Sequence, residues 1–410
     1  MKQNIKIPEG YKNSPLGVIP EEWEVKKLGE IGTFFKGKGV PKNKIINDGY
    51  KCLTYGDLYT KYDFIIKNVK SFINQKTSFI SQKINFGDIC FAGSGETSKD
   101  IGKCAAFIDD KNGYAGGDII ILRANENPIT LSYILNSEYI IKQKSKYGQG
   151  HSVVHIYPTQ LKKIRVALPP ISEQQKIAEI LTTWDEAIEK QTQLINLLEK
   201  RKHGLMQQLL TGKKRLKGFT EEWETVKLEK LFTERNEINN DNLPLLSITG
   251  EKGIIYQSDS EKRDISNGNK SKYKRICPND IGYNTMRMWQ GRSALSKFEG
   301  IVSPAYTVVS PKNNINVLFM SMLIKQPRVI YDFWTHSQGL VNDTLNCKFK
   351  DFKKVKVIIP IKEEQDSITE ILTEANNEIN LAKQKLESFR QQKKGLMQVL
   401  LTGKKRVKLN

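Results

Sequence analysis

LMQQLLTGKKR at residues 205–215 returns as LMQVLLTGKKR at residues 396–406, an offset of 191 positions. Upstream, EQQKIAEILT (173–182) returns as EQDSITEILT (364–373) with the same offset. Self-similarity sustained at a fixed distance indicates that one structural unit is repeated. The chain therefore consists of two copies of one plan.

A second repeated stretch lies near the start of each copy. IPEEWEVKKL (19–28) matches FTEEWETVKL (219–228) at an offset of 200, so the segment between the two motifs is nine residues longer in the first copy. These middles contain short apolar runs separated by Gly, Asn and Asp, which predicts a strand-rich mixed domain. INFGDICFAGSG (84–95) and ICPNDIGYNTMR (276–287) are predicted to be an equivalent strand and turn.

After each middle, apolar residues recur at alternating steps of four and three, which is typical of a coiled-coil seam. The alternative is an amphipathic helix packed on its own domain, but helices of globular domains are usually shorter. The seam residues are Ile177, Leu181, Trp184, Ile188, Ile195, Leu198, Leu205 and Leu209 in the first copy, and Ile368, Leu372, Ile379, Leu386, Phe389, Leu396 and Leu400 in the second.

Prolines mark the helix starts, at Pro169, Pro170 and Pro360, and glycines mark the ends, at Gly212 and Gly403. The second domain begins where the first helix ends, so the two helices should pair antiparallel and separate one globular domain from the other. The predicted fold class is α+β, with two repeated globular domains joined by two long antiparallel coiled-coil helices. The predicted segments are 1–168 and 213–358 (domains), 169–212 and 359–403 (helices), and 404–410 (a basic tail).

The composition predicts a folded, basic protein. Lys and Arg total 65 against 45 Asp and Glu, a net charge of +20 in 410 residues, which favours a polyanionic partner such as DNA, RNA or anionic lipid. The five cysteines lack disulfide or zinc spacing, and no stretch resembles a signal peptide or a membrane span. We expect a cytoplasmic protein with no membrane partner.

In the order EEWE, variable domain, Pro-flanked strand, EQ-x-x-I-x-EIL-T, long helix and GLMQ-x-LLTGKKR, all repeated once, the whole chain resembles the specificity subunit of type I restriction-modification systems. The resemblance implies two target-recognition domains, each binding one half of a bipartite, asymmetric DNA sequence. It also implies two methyltransferase subunits as partners, with restriction subunits joining through them. S-adenosylmethionine, ATP and Mg would then be bound by those partners, and no cofactor by this chain.

The motifs expected of an enzyme are missing. AGSGETSKD (92–100) lacks the spacing of a phosphate-binding loop, and NENPIT (125–130) lacks the second Pro and the aromatic residue of an adenine methyltransferase motif, so a turn is the better interpretation. His151 and His155 have helical metal spacing, but the valines between them indicate a strand. We therefore predict a recognition subunit without catalytic residues or a metal site.

Gly-bounded segments rich in donors are the candidates for DNA contact, because Arg and Lys can bind guanine, Asn and Gln can bind adenine, and the cations neutralise phosphates. For any one residue, a solvated surface cation is the plainer interpretation. The candidates are Lys36, Lys38, Gln149, His151 and His155 in the first copy, and Arg287, Trp289, Gln290, Arg292, His336, Gln338 and Asn342 in the second.

Two questions stay open at this point. The basic ends Lys213–Arg215 and Lys404–Arg406 fit phosphate contacts, partner binding or compensation of a helix C-terminus. A stand-alone two-headed DNA-binding regulator or architectural protein is the alternative function.

If the helices set the distance between the two domains, inserting four residues after Lys200 adds about 6 Å of helix, about two base pairs at ~3.4 Å each. We expect the recognised site to keep both half-sequences and to gain a longer spacer, which methylation mapping with the methyltransferase partner would measure. An unchanged spacer at full activity would show that the helices do not set the distance.

Overall fold

The computed structural model describes residues 7–150, 152–250, 252–260, 268–312, 314–339, 341 and 344–408. Within these ranges the helices are α1 (Leu28–Ile31), α2 (Tyr55–Thr60), α3 (Gln75–Ile80), α4 (Pro128–Leu135), α5 (Glu138–Tyr147), α6 (Pro158–Leu161), α7 (Ile171–Leu209), α8 (Leu228–Leu231), α9 (Val317–Leu323), α10 (Pro327–His336), α11 (Phe349–Phe352) and α12 (Lys362–Leu400).

The strands are β1 (Tyr11–Ser14), β2 (Gly17–Pro20), β3 (Glu24–Lys27), β4 (Gly32–Lys36), β5 (Tyr50–Leu53), β6 (Ile65–Ile66), β7 (Phe72–Ile73), β8 (Gln82–Ile84), β9 (Ile89–Ala92), β10 (Ser94–Gly95), β11 (Cys104–Phe107), β12 (Gly113–Ala115), β13 (Ile119–Ala124), β14 (Val154–His155), β15 (Arg165–Leu168), β16 (Glu224–Lys227), β17 (Phe232–Glu234), β18 (Leu246–Ile248), β19 (Ile254–Tyr256), β20 (Lys274–Ile276), β21 (Ile281–Asn284), β22 (Ser293–Leu295), β23 (Gly300–Val302), β24 (Tyr306–Pro311) and β25 (Lys356–Ile359). No described helix is both long enough and apolar enough to cross a bilayer.

The chain forms two compact units: unit 1 contains residues 1–191 and 385–410, and unit 2 contains residues 192–384. Each long helix contributes to both units, so each unit has the start of one long helix and the end of the other. The domain boundaries predicted from sequence stay predictions.

Unit 1 is built on a five-stranded sheet in the order β4-β13-β9-β11-β6, beside a four-stranded sheet in the order β7-β5-β12-β8. Strand β9 is buried on both faces, and Phe91 packs in one core cluster while Cys90 packs in another. Such complete burial requires apolar residues at every position, which the ICFA sequence of β9 supplies.

Unit 2 repeats the central part of this sheet in the order β17-β24-β21-β22. Strands β9 and β21 each lie between the long strand of their sheet, β13 or β24, and the next strand along the chain that belongs to the same sheet, β11 or β22. The pairing is antiparallel on both sides. The predicted equivalence of 84–95 and 276–287 is therefore confirmed.

The EEWE motif enters a strand that pairs with the strand leading into the long helix. Glu24 of β3 lies opposite Leu168 of β15, and Glu224 of β16 lies opposite Ile359 of β25, with antiparallel registers that correspond residue for residue. This ribbon ties the beginning of each copy to the start of its long helix.

The long helices pack antiparallel within each unit. In unit 1, Trp184 of α7 meets Phe389 of α12 edge to face at 5.7 Å, while Asp185 pairs with Lys393. In unit 2, Lys202 of α7 donates to Asn376 of α12 at 2.7 Å. The seam residues are all buried or half-buried. The predicted fold class is confirmed, with two repeated α+β domains and two long antiparallel helices.

Each unit contains a buried carboxylate bound by the basic end of the other copy. In unit 1, Glu173 accepts the indole N–H of Trp23 at 3.0 Å and the guanidinium of Arg406 at 2.8 Å. We call Trp23, Glu173 and Arg406 the tail cluster of unit 1. Since Arg406 comes from the second copy, the last residues of the chain complete the first unit.

The tail cluster of unit 2 consists of Trp223, Glu364 and Arg215. Arg215 donates to both carboxylate oxygens of Glu364 at 2.7 Å, and the Trp223 indole donates to the same group at 3.2 Å. The long helices end at Leu209 and Leu400, and the turns that lead to these arginines pass through Gly212 and Gly403, whose φ angles of 68° and 70° favour glycine. None of the alternatives left open for the basic ends anticipated this contact, in which Arg215 and Arg406 pair with buried glutamates.

Replacing Arg406 by Ala leaves the fully buried Glu173 without its cation, which we expect to lower the free energy of unfolding by about 3 kcal/mol. Urea unfolding followed by circular dichroism measures this loss. Lys405→Ala, an exposed neighbour in the same tail, is the matched control and should change stability by less than ~0.5 kcal/mol. Equal stability of both variants would contradict a structural role for Arg406.

Candidate nucleic-acid interface

The candidate residues of unit 1 lie at one edge of the five-stranded sheet. Ile120 of β13 pairs with Lys36 of β4 on one side and with Phe91 of β9 on the other. Strands β4 and β9 therefore end at the same edge, where Lys36 and Lys38 are exposed. The loop after β9, residues 93–103, leaves the sheet at this edge.

Gln149 and His155 close a short loop beside that edge. Their backbones exchange two hydrogen bonds, from Gln149 N to His155 O at 2.9 Å and from His155 N to Gln149 O at 2.7 Å. Between them, Gly150 has a φ of 116°, and a Cβ at this position would lie 2.0 Å from the carbonyl oxygen of Val153. His155 Nδ1 also lies 3.0 Å from Ser94 Oγ, in the loop after β9. His151 lies outside the described residues.

Lys144, which the sequence analysis missed, anchors the loop after β9 by a hydrogen bond to its backbone. Lys144 is 2% exposed on α5, and its ammonium group donates to the carbonyl oxygen of Gly102 at 2.6 Å. Burial lowers the pKa of Lys144. Its only sequence signal is its position one turn after the buried Ile140 on α5. A lysine there resembles any surface lysine of an amphipathic helix.

In unit 2 the structure brings Arg287 and Arg292 together. Both belong to the connection between β21 and β22, the counterpart of the loop after β9, and both line an open cleft of about 590 Å³. Gly250 forms part of its wall, and a Cβ there would lie 2.0 Å from an Nη atom of Arg292. Asn284 and Thr249 add amide and hydroxyl groups to the same cleft. The cleft therefore combines two guanidinium groups with neutral hydrogen-bonding groups.

Trp289 and Gln290 lie on the 3-10 turn Met288–Gln290 between the two arginines. The indole N–H of Trp289 donates to the carbonyl oxygen of Met286 at 3.1 Å, so its donor is used within the connection. Gln290 is exposed. Neither residue lines the cleft.

Gln338 closes a loop equivalent to that of Gln149. Its backbone exchanges two hydrogen bonds with Asn346, at 2.9 and 2.8 Å, and Gly339 follows it with a φ of 153°. Asn342 lies outside the described residues. The two loops share a Gln-Gly start and a closing pair of backbone hydrogen bonds, a correspondence that the sequence motifs alone did not indicate.

His336 is separate from the arginine cleft. Its Nδ1 lies 2.8 Å from the carbonyl oxygen of Asp332 on its own helix, and the ring borders a second pocket of about 500 Å³ with Arg328 and Lys356. The sequence analysis grouped His336 with Gln338 because they are neighbours in the chain. Helix α10 ends at His336, so His336 borders this pocket while Gln338 belongs to the following loop.

Nucleophilic and metal-binding chemistry is not apparent among the described residues. Burial raises the pKa of Cys104 to about 11 and those of Cys52 and Cys347 to about 12, so these thiols stay protonated near neutral pH. No group of three or more His, Cys, Asp or Glu in the described ranges is arranged to hold a metal ion. Asn127 caps α4 by accepting the N–H of Thr130 at 3.0 Å, so NENPIT is a bend followed by the first turn of a helix and not a turn alone.

Comparison with known proteins supports the repeat. The family model described as the type I restriction modification DNA specificity domain matches twice, at residues 20–200 and 220–390. A Methanocaldococcus jannaschii protein named for the specificity subunit of the type I restriction enzyme MjaX is 28% identical over 437 residues, which cover 98% of this chain and 97% of the relative.

Solved structures share the fold across the chain. The crystal structure of a type I restriction-modification S subunit from M. genitalium aligns with a TM-score of 0.55 at 15% identity, covering 99% of both chains. A chain from a structure on complex assembly and conformational transition of the type I R-M system aligns with a TM-score of 0.59 at 16% identity, covering 94% of this chain and 99% of that one.

Arg292 provides a test of the cleft in unit 2. We expect Arg292→Ala to weaken binding of the preferred duplex by about 1–3 kcal/mol and to relax base preference in one half of the site only. Fluorescence anisotropy with duplexes varied in each half measures this. Lys297→Ala is the matched control, because Lys297 is exposed at the other end of β22. Equal losses on preferred and random DNA would make Arg292 a phosphate contact.

Proposed function

The chain belongs to the type I restriction modification DNA specificity family, and from this membership we propose that it selects the DNA site on which a type I restriction-modification enzyme acts. Its proposed ligand is double-stranded DNA with a bipartite, asymmetric recognition sequence. Unit 1 contacts one half of that sequence, and unit 2 contacts the other.

The observation that carries this proposal is that the two units share one sheet topology but present different side chains at the equivalent edge of the sheet. The two sheets share the strand order β4-β13-β9-β11 and β17-β24-β21-β22. At the equivalent edge, unit 1 presents Lys36, Lys38 and His155, whereas unit 2 presents Arg287 and Arg292 in a cleft. Repeated folds with unlike donors at the same edge suit a protein that binds two unlike sequences.

The repeated parts fit a second task. The ribbons, the long helices and the tail clusters recur in both units, so two copies of one partner can contact them in the same way. We propose two methyltransferase subunits as these partners, with restriction subunits joining through them. S-adenosylmethionine, ATP and Mg then belong to the partners, and this chain carries no catalytic residues.

Methylation mapping with the methyltransferase partner tests the proposal. With the full chain we expect methylation at an asymmetric two-part motif, and no methyl transfer by this chain alone. Methyl transfer by the purified chain would contradict a recognition subunit. A stand-alone regulator, the alternative function, would leave the methyltransferase without any motif that depends on this chain.

A truncated chain sharpens the test. Residues 1–217 lack Arg406 but carry the equivalent Arg215, so a second copy can supply the tail that completes unit 1. We expect this fragment to pair with itself and, with the methyltransferase, to direct methylation to an inverted repeat of one half-sequence. Analytical ultracentrifugation and methylation mapping measure the two results. A monomer that binds no DNA in the presence of the methyltransferase would contradict the equivalence of the two copies.

A further inference from the structure

Two segments of unit 1 are rich in lysine and contain no acidic residue. Residues 31–47 and 64–84 include eight lysines and no Asp or Glu. All eight are exposed, and none forms a salt bridge with a residue that the structure describes; they are Lys36, Lys38, Lys42, Lys44, Lys67, Lys70, Lys76 and Lys83. In a protein with 45 acidic residues, two exposed lysine-rich segments without carboxylates favour an anionic ligand.

The two segments form one surface. The backbone N–H of Ile46 donates to the carbonyl oxygen of Phe72 at 2.8 Å. The backbone N–H of Gln82 donates to the carbonyl oxygen of Lys38 at 3.4 Å. Gly39 faces Ser81 so closely that a Cβ at Gly39 would lie 2.2 Å from the serine hydroxyl. Lys38 therefore lies beside the end of the short helix α3, which itself carries Lys76 and is followed by Lys83.

Helix α3 is oriented with its apolar residues outward. Thr77 and Ser78 are buried, whereas Phe79 is 79% exposed and Ile80 is 63% exposed. Asn74 fixes the helix start by accepting the N–H of Thr77 at 2.9 Å. An isolated exposed apolar residue needs no explanation, but an adjacent pair on a helix that buries hydroxyl side chains instead indicates a contact surface.

We propose that Phe79 and Ile80 form an apolar wedge that enters a groove of the DNA duplex in the first half of the site, while the surrounding lysines neutralise phosphates. Apolar wedges rimmed by cations bind DNA in this way by pressing against or between base steps. The inference rests on the proposed function and adds to it a contact that depends on the deformability of the DNA.

The placement of the wedge favours DNA over a protein partner. It is continuous with the sheet edge that presents Lys36 and Lys38, and it lies in the middle of the copy, where the sequences of the two copies differ. Residues 268–276 of unit 2, which precede the equivalent strand β21, form no helix. A partner that contacts both units alike would bind the ribbons, long helices and tail clusters, which recur in both units. A contact that depends on the DNA sequence belongs in the middle of each copy, where the two units differ.

The test compares Phe79→Ser/Ile80→Ser with Phe86→Ser in the full chain together with the methyltransferase. Phe86 is 68% exposed, but it precedes β9 and so lies at the end of that strand opposite to the edge that presents Lys36 and Lys38. Both variants replace exposed residues, so both should fold. We expect the double variant to bind the mapped duplex at least about fivefold more weakly, and Phe86→Ser to bind like wild type.

A second measurement tests insertion directly. 2-Aminopurine placed at successive positions of the first half-site should brighten at one step when wild type binds, because its neighbours unstack, and stay dark with the double variant. Unchanged DNA affinity and emission in the double variant would overturn the wedge while leaving the proposed function intact. Loss of methyltransferase binding, or binding of anionic vesicles abolished by the double variant with DNA binding unchanged, would overturn it in favour of another partner. Failure of the wild-type complex to bind any duplex would instead overturn the proposed function.

Discussion

The structure depends on the neutralisation of two buried carboxylates by arginines that come from the other copy. Glu173 and Glu364 are 1% and 0% exposed, and a buried carboxylate without a cation costs several kcal/mol. Arg406 and Arg215 satisfy this requirement, and a tryptophan of the EEWE motif donates a further hydrogen bond in each unit. Since neither copy holds its own arginine against its own glutamate, each unit is complete only when the tail of the other copy is in place.

The helix seam carries a second requirement that fixes its register. Lys393 and Lys202 occupy seam positions among apolar residues, so each needs a polar partner on the facing helix. Asp185 pairs with Lys393 in unit 1, whereas Asn376 accepts from Lys202 in unit 2. Burial, which the neutral Asn376 cannot offset, lowers the pKa of Lys202. A shift of either helix by one turn would separate these partners, so the polar positions select the pairing that the apolar positions stabilise.

The long helices and the two-copy organisation could be predicted from sequence because the patterns that indicate them are local or repeated. The heptad seam needs only the spacing of apolar residues along one helix, and the repeat needs only the chain compared with itself. The role of Arg215 and Arg406 could not be predicted, because their carboxylate partners lie 149 and 233 positions away. The same limit applies to Lys144, whose acceptor is a backbone carbonyl with no sequence signature. Grouping Arg287 with Arg292 succeeded because one short connection holds both, whereas His336 and Gln338 are separated by the end of a helix.

The two edges differ in the kind of recognition that their side chains permit. A guanidinium offers two parallel donors to one base edge, so the cleft of Arg287 and Arg292 suits direct contact with guanine. The ammonium groups of Lys36 and Lys38 are point charges, which attract phosphates without distinguishing sequences. Under the proposed function, sequence preference in unit 1 comes from hydrogen-bonding groups such as those of Gln149 and His155, or from the response of the DNA to an apolar contact. One sheet can support both solutions because the edge residues lie at strand ends or in connections and their side chains are not buried in the core.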